Sequence, residues 1–362
     1  MKGVILVENS FVHPYMPNSA PENKKAMLDE LGINSVEDIY KSIIPDELLY
    51  KERLDIPEPI RSEYELKRHV MGILNRDITT EEYTSFLGAG CYKHQVPAIC
   101  DEINSRGEFL TAYCGDTYSD HGKMQAIFEY TSMMGELLDT DVVSYTTYDG
   151  GQAVASSLRM AVRAVREKGM AGKVILVPKT MNPEIYSQVV QYCRNVAEVR
   201  KIAYEPETGL MDLEELKEQL AKKNVAAVFF ENPTYLGNFE TRGEEIAKLA
   251  HDAGAYCVVQ TEVAALGIME SPVNQGADIV CGDIQPLGMH IQFGGGQAGF
   301  IACNQNMDLV EQFPTYMYGI TETEKEDTYG WGRAMNYRSS HGSRENAKEY
   351  FGTETGLWAI TA

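Results

Sequence analysis

GADIVCGDIQPLGMHIQFGGGQAGFIAC, residues 276–303, decides how the rest of the chain is read. Two short apolar runs, 277–281 and 299–303, are bounded by glycine, as strands buried inside an α/β sheet are. A turn and a polar loop ending in Gly294-Gly295-Gly296 separate them. The position just after the first run, where a sheet of this kind offers side chains to a ligand, holds Gln285-Pro286-Leu287-Gly288. No lysine or arginine occurs between Lys248 and Lys325. The end of this first strand therefore offers a ligand no cation.

Upstream the pattern alternates. Residues 123–138 carry Met124, Ile127, Phe128, Met134, Leu137 and Leu138 on one side, which predicts an amphipathic helix. A strand over 142–148 leads through Asp149-Gly150-Gly151-Gln152 to a helix over 153–168. Two readings of Gly150 and Gly151 stand: free backbone N–H groups offered to an anion at a helix N-terminus, or a tight turn that only glycine permits. Strand 173–177 leads to helix 183–193, and strand 196–203 to helix 213–223, which opens with Asp212 as cap and Glu215 three residues on. Strand 225–230, helix 241–253 and strand 255–260 complete the run. Such alternation predicts a mainly parallel sheet covered by helices on both faces. Ligands of these sheets sit at the carboxyl ends of the strands, here 148–151, 232–235, 261–262 and 283–285.

Three regions follow: an N-terminal arm with helices over 1–75, a large α/β domain over 76–314, and a linker with the start of a small domain over 315–362. Six prolines within 1–60 argue against a compact core and for an arm that lies on another surface. Short helices are expected at 22–31 and 35–44, the second with Ser35 as cap. Ser62 and Glu65 form a capping box ahead of an amphipathic helix over 63–75. The loop 85–116 is glycine-rich and aromatic, and carries Tyr92, His94, Arg106, Glu108 and Tyr113. Residues 315–345 are polar and interrupted by glycine, and 346–362 begins as an amphipathic segment.

The formal net charge of −21 disfavours nucleic acid and anionic membrane surfaces as partners. No apolar run approaches the ~18 residues of a membrane span, and the N-terminus is too short for a signal-peptide core. Seven cysteines without a CxxC pair read as reduced thiols, so the cytoplasm is the expected compartment. Cys91-x-x-His94 lacks a second ligand pair to complete a tetrahedral metal site, and no metal is expected.

Several blocks carry a resemblance: HPYMP at 13–17, Met27-Leu28, Leu31-Gly32 and Ile44-Pro45; SFLGAG at 85–90 with Tyr92 and His94; SRGEF at 105–109 with Thr111-Ala112-Tyr113; QAIFEY at 125–130; Tyr148-Asp149-Gly150; GADIV at 276–280 with Gln285-Pro286-Leu287-Gly288. From about residue 12 to the end the chain resembles the alpha-subunit (subunit 1) family of bacterial glycine dehydrogenase (decarboxylating), the P-protein of the glycine cleavage system. It departs from that family at 113–118, at 294–297 and at 338–344, and the family continues for very roughly 80 residues beyond Ala362, about the size of a small domain.

The resemblance implies a type I pyridoxal-phosphate-dependent transferase fold. It implies that only the homologous beta subunit carries the cofactor lysine, so that Gln285 and Pro286 stand at its place here and this chain has no catalytic residue of its own. The enzyme would release carbon dioxide from glycine and pass the aminomethyl group to the lipoyl arm of the H-protein. This chain, inactive alone, would help shape the shared cavity through Tyr92, His94, Arg106 and Tyr113, with pyridoxal phosphate bound mainly by its partner in a heterodimer. Arg106 has two readings, a bidentate carboxylate contact or a structural ion pair with Glu102 or Glu108. The alternatives to the whole are a subunit of a different pyridoxal-phosphate enzyme acting on another small amino acid, or a silent scaffold of this fold.

Overall fold

A computed structural model describes residues 12, 14–50, 52, 54–86, 92–110, 121–294, 297–334, 339–340, 342–343, 347–349, 351 and 354–362. The chain divides into two compact units, residues 1–79 and 80–362. In the first, α1 (Pro21–Leu31) opens on proline and ends at Gly32 in the left-handed region, φ 68°. Next comes α2 (Val36–Ile43), where the Ser35 N–H donates to Asp38 Oδ2 at 3.1 Å. In α3 (Glu63–Leu74), Ser62 Oγ accepts from Glu65 N–H at 3.3 Å. The three helices begin and end within two residues of the sequence expectation, and none carries a buried residue.

The second unit begins with α4 (Ala98–Asn104) and α5 (His121–Leu138). The short β1 (Val142–Val143) leads into α6 (Gly150–Glu167), capped by Asp149, whose carboxylate accepts from Gln152 N–H at 2.6 Å. Then follow β2 (Val174–Pro178), α7 (Pro183–Cys193), β3 (Glu198–Ile202), α8 (Leu213–Leu220), β4 (Val225–Asn232), α9 (Gly243–Asp252), β5 (Tyr256–Thr261), β6 (Ile279–Asp283) and β7 (Gly299–Cys303). Before α8, Asp212 accepts from the N–H groups of Glu214 and Glu215 as expected, but the Glu215 carboxylate turns to Ala203 N–H at 2.6 Å instead of closing a capping box.

One seven-stranded sheet results, in the order β1-β7-β6-β5-β4-β2-β3. Neighbours from β6 to β3 run parallel, and β7 runs antiparallel to both β6 and β1. Every residue of β2, β4 and β7 is buried, which explains why these strands read as unbroken apolar runs. Alternate strand residues feed two cores. Val228, Phe230, Val259 and Phe300 pack with α5, α8 and α9, whereas Ile175, Phe229, Val258 and Ile301 pack with α6 and α7. Fourteen of the eighteen residues of α6 are buried, because this helix crosses the centre of the sheet from β4 to β7.

Beyond β7 come α10 (Met307–Val310), a hairpin of β8 (Met317–Glu322) and β9 (Tyr329–Ala334) packed on α5, and α11 (Gly356–Thr361) against α4 and α5. The hairpin was not expected from the sequence. Its strands carry Gly319, Gly330 and Gly332 and bury few of their residues, so no period-two apolar pattern marks them. No described helix is long and apolar enough to cross a membrane.

Candidate functional site

Parallel strands end together, and the loops after them close round a common space. Three adjoining cavities lie there. The innermost, about 310 Å³, is lined by Asp149, Gly150 and Gly151 at the start of α6, by Asn182, Glu184 and Gln188 around the start of α7, and by Gln260, Asp283 and Gln297. A narrow middle space of about 90 Å³ adds Glu231, Thr234, Glu262 and Tyr92. The outer chamber, about 700 Å³, is walled by Phe86, Tyr92, His94, Tyr235, Leu236 and Glu262. Five carboxylates face this cleft, those of Asp149, Glu184, Glu231, Glu262 and Asp283, and no lysine or arginine is among its described lining residues.

Burial sets the state of these acids. Removal from water pushes Glu231 up to about 7, against the opposing pull of the N–H groups of Asn182 and Tyr235. Burial likewise raises Glu262, with only Ala264 N–H holding it down. Asp283 is pushed up to about 7 by burial although the N–H groups of Gln285 and Gly150 donate to it. Burial thus makes Glu231, Glu262 and Asp283 harder to ionise than carboxyls in water.

Gln285, at the place that the resemblance gives to the cofactor lysine of the beta subunit, is wholly buried and fully engaged. Its Nε2 donates to the carbonyls of Tyr92 at 3.1 Å and Met289 at 3.0 Å, and its Oε1 accepts from Tyr92 N–H at 3.4 Å. It fastens the loop carrying Tyr92 to the turn after β6. Pro286 follows in that turn, closed by Leu287 N–H on Ile284 O at 2.9 Å.

Tyr92 and His94 come together in the outer chamber, their rings edge to face with centroids 6.3 Å apart. Burial holds His94 below its ordinary pKa, and its buried Nε2 has no hydrogen-bond partner. Arg106 does not join them. It lies just past α4 and pairs with Glu102, one helical turn back, at 3.5 Å, which is the structural reading of this residue. Tyr113 and Cys91 lie outside the described residues. Gly150 donates its N–H to Asp283 Oδ2 at 2.9 Å, so that group is not open to an outside anion. A Cβ on Gly150 would stand 3.0 Å from Asp283 Cβ, and one on Gly151 would stand 2.6 Å from Gln188 Oε1. Close approach to the Asp283 backbone, not a positive φ, restricts Gly150, whereas the Gln188 amide can turn aside from a Cβ on Gly151.

Sequence reasoning pointed to 232–235, 261–262 and 283–285 but passed over Asn182, Glu184, Glu231 and Gln260. All four lie at or just beyond the carboxyl ends of β2, β4 and β5, so extending the strand-end rule by a few residues each way finds them.

Sheet order, the antiparallel β7 and a cleft at the strand ends define the α/β fold of pyridoxal-phosphate-dependent enzymes. The chain belongs, more narrowly, to the glycine cleavage system P-protein family, which matches residues 13–362. It is 34% identical to a probable glycine dehydrogenase (decarboxylating) subunit 1 of Staphylothermus marinus, over 97% of this chain and 74% of that protein. It is 36% identical to the protein of the same description from Pyrococcus horikoshii, over 96% of this chain and 75% of that one. Among solved structures it is similar to an inhibitor-bound glycine decarboxylase (P-protein) of the glycine cleavage system, with a TM-score of 0.78 and 30% identity over 97% of this chain and 75% of the other. A sphingosine-1-phosphate lyase of Burkholderia pseudomallei shares the fold at a TM-score of 0.54 and 13% identity.

Pyridoxal phosphate, the cofactor of this fold family, does not fit the residues of this chain's own cleft. Among the described lining residues there is no lysine to form an imine and no other cation, and the first N–H of α6 is held by a carboxylate.

Proposed function

We propose that the chain is the subunit of a glycine-decarboxylating enzyme that does not carry the cofactor lysine. In this reading the assembly releases carbon dioxide from glycine and transfers the aminomethyl group to lipoyl H-protein. Pyridoxal phosphate is bound by the homologous beta subunit, where it supplies the electron sink for decarboxylation. The observation that carries the reading is Gln285, buried and saturated with hydrogen bonds where a lysine would be needed. The naming of the relatives as subunit 1 of a glycine dehydrogenase supports a two-subunit enzyme.

This chain's part is to hold and shape. Tyr92 and His94 line the cavity that the partner completes, a reading supported by their shared outer chamber. The helices of the N-terminal arm, none of which buries a residue, take their cover from the partner. The buried, unpaired thiols of Cys100, Cys193, Cys257, Cys281 and Cys303 support a cytoplasmic setting.

Co-expression with the lysine-bearing homologue tests the reading. A co-purified complex that exchanges the glycine carboxyl group with bicarbonate, while neither chain does so alone, is the expected result. A complex that exchanges the carboxyl group of a different amino acid, or a chain that ignores the homologue, overturns it.

A further inference from the structure

The sheet has two edges, and the cleft occupies only the carboxyl one. At the amino edge lies a separate cavity of about 470 Å³, bounded by α5, the segment entering β1, α10 and the β8–β9 hairpin. Topology fixes the separation. Because β7 runs antiparallel to both β6 and β1, Val142 and Cys303 pair at the end of the sheet where β6 begins. Nothing in the proposed reaction uses this space.

Its floor is apolar. Val143, Val310 and Met317 are buried there, with the rings of Phe128 and Tyr318 beside them. Its polar groups are mostly acceptors. Glu136 and Asp141, both exposed and so at the mouth, carry carboxylates, which only accept hydrogen bonds. The hydroxyls of Thr131 and Ser132 give their hydrogens to Phe128 O at 3.0 and 2.7 Å, which leaves lone pairs. Main-chain donors at the rim are also spent: Gln305 N–H on Asp141 Oδ2 at 3.0 Å, and Thr140 N–H on Gly135 O at 3.0 Å. Among the described lining residues there is no lysine, arginine or histidine to neutralise the two carboxylates.

A ligand for such a wall must itself bring the hydrogens and the positive charge, together with an apolar body to cover the floor. The aromatic rings favour the same charge, because a cation is drawn to a ring face. The volume is within the usual range of small-molecule sites. We propose that this cavity is a binding site for a small organic ammonium ion, its amine held by Glu136 and Asp141 and its apolar body laid against Phe128, Met317 and Tyr318. The same groups repel phosphate or a carboxylate ligand. The inference does not depend on glycine being the substrate of the cleft.

The experiment titrates the intact chain with phenylethylamine in an amine-free buffer, by calorimetry, and repeats the titration with phenylethanol and phenylacetate, which keep the apolar body and change the head. One saturable amine per chain is expected. The alcohol should bind about fivefold more weakly, the size of one solvent-exposed charge interaction, and the acid not at all. Glu136→Gln should weaken the amine by a similar factor and Glu136→Lys by more, with melting unchanged because the position is exposed. Ser132→Trp, which fills the cavity from α5, should abolish binding, and Glu262→Gln, in the cleft at the other edge, should leave it as it was. No saturable amine binding would overturn the proposal. So would an alcohol or acid that binds as well as the amine, or amine binding that ignores Glu136 or is lost in Glu262→Gln.

Discussion

Replacing Gln285 by methionine keeps the volume of the side chain and removes its polar head. The wild-type amide donates to two main-chain carbonyls, Tyr92 O at 3.1 Å and Met289 O at 3.0 Å, in a position with no solvent exposure. A buried acceptor left without a donor costs about 1–3 kcal/mol, so the pair of lost bonds should cost about 3 kcal/mol in all. The contact from Tyr92 N–H, at 3.4 Å, is long and adds little. Urea unfolding should show a lower midpoint with an unchanged slope, since the folded chain buries the same surface. Gln285→Ala should lose more, because it adds a cavity to the same lost bonds. A methionine variant within about 0.5 kcal/mol of wild type would refute the view that this residue has become a clamp between the Tyr92 loop and the β6 turn.

The remaining expectations follow from equally local features. Glu349, with its side chain 7% exposed, pairs with Arg163 at 2.8 Å and Arg159 at 3.2 Å and accepts from Ser156 Oγ at 2.7 Å; Glu349→Gln should cost about 3 kcal/mol in the same unfolding assay by leaving buried guanidinium charge unpaired. Gly282→Ala should cost about 3 kcal/mol or more, or prevent soluble expression, because the new Cβ would stand 2.3 Å from Thr261 O and 2.9 Å from Phe300 Cε1. Glu354 is pushed up to about 8 by burial, and its Oε1 has no partner. Its folded pKa lies above the unfolded value, so the folded state holds a proton that the unfolded state loses, and its contribution to stability should fall as pH rises from about 4.5 to about 8. Glu354→Gln should flatten that fall, matching wild type at the acid end and exceeding it at pH 8, as read by thermal unfolding across the range.

The sheet was legible because its strands are buried on both faces. Runs such as VAAVFF at 225–230 suit a strand buried on both faces, and helices between the strands carry their own caps at Asp149 and Asp212. The β8–β9 hairpin was not legible, since glycine interrupts it and it packs on α5 by only a few residues. Nor was the clamp of Glu349 onto α6, which joins residues far apart in sequence through a salt bridge that no local pattern announces. At the site, position was readable and partnership was not. The missing lysine and the strand ends could be read from residue types and spacing. That Gly150 gives its N–H to Asp283, that Gln285 holds the Tyr92 backbone, and that Arg106 turns to Glu102 depend on three-dimensional neighbours.

Borohydride reduction of the complex with the lysine-bearing homologue, followed by peptide mass mapping, tests the central claim most directly. The cofactor should be trapped as a pyridoxyl-lysine in the homologue alone, and the isolated chain incubated with pyridoxal phosphate should yield no site-specific adduct. A stoichiometric adduct on one lysine of this chain would contradict the account.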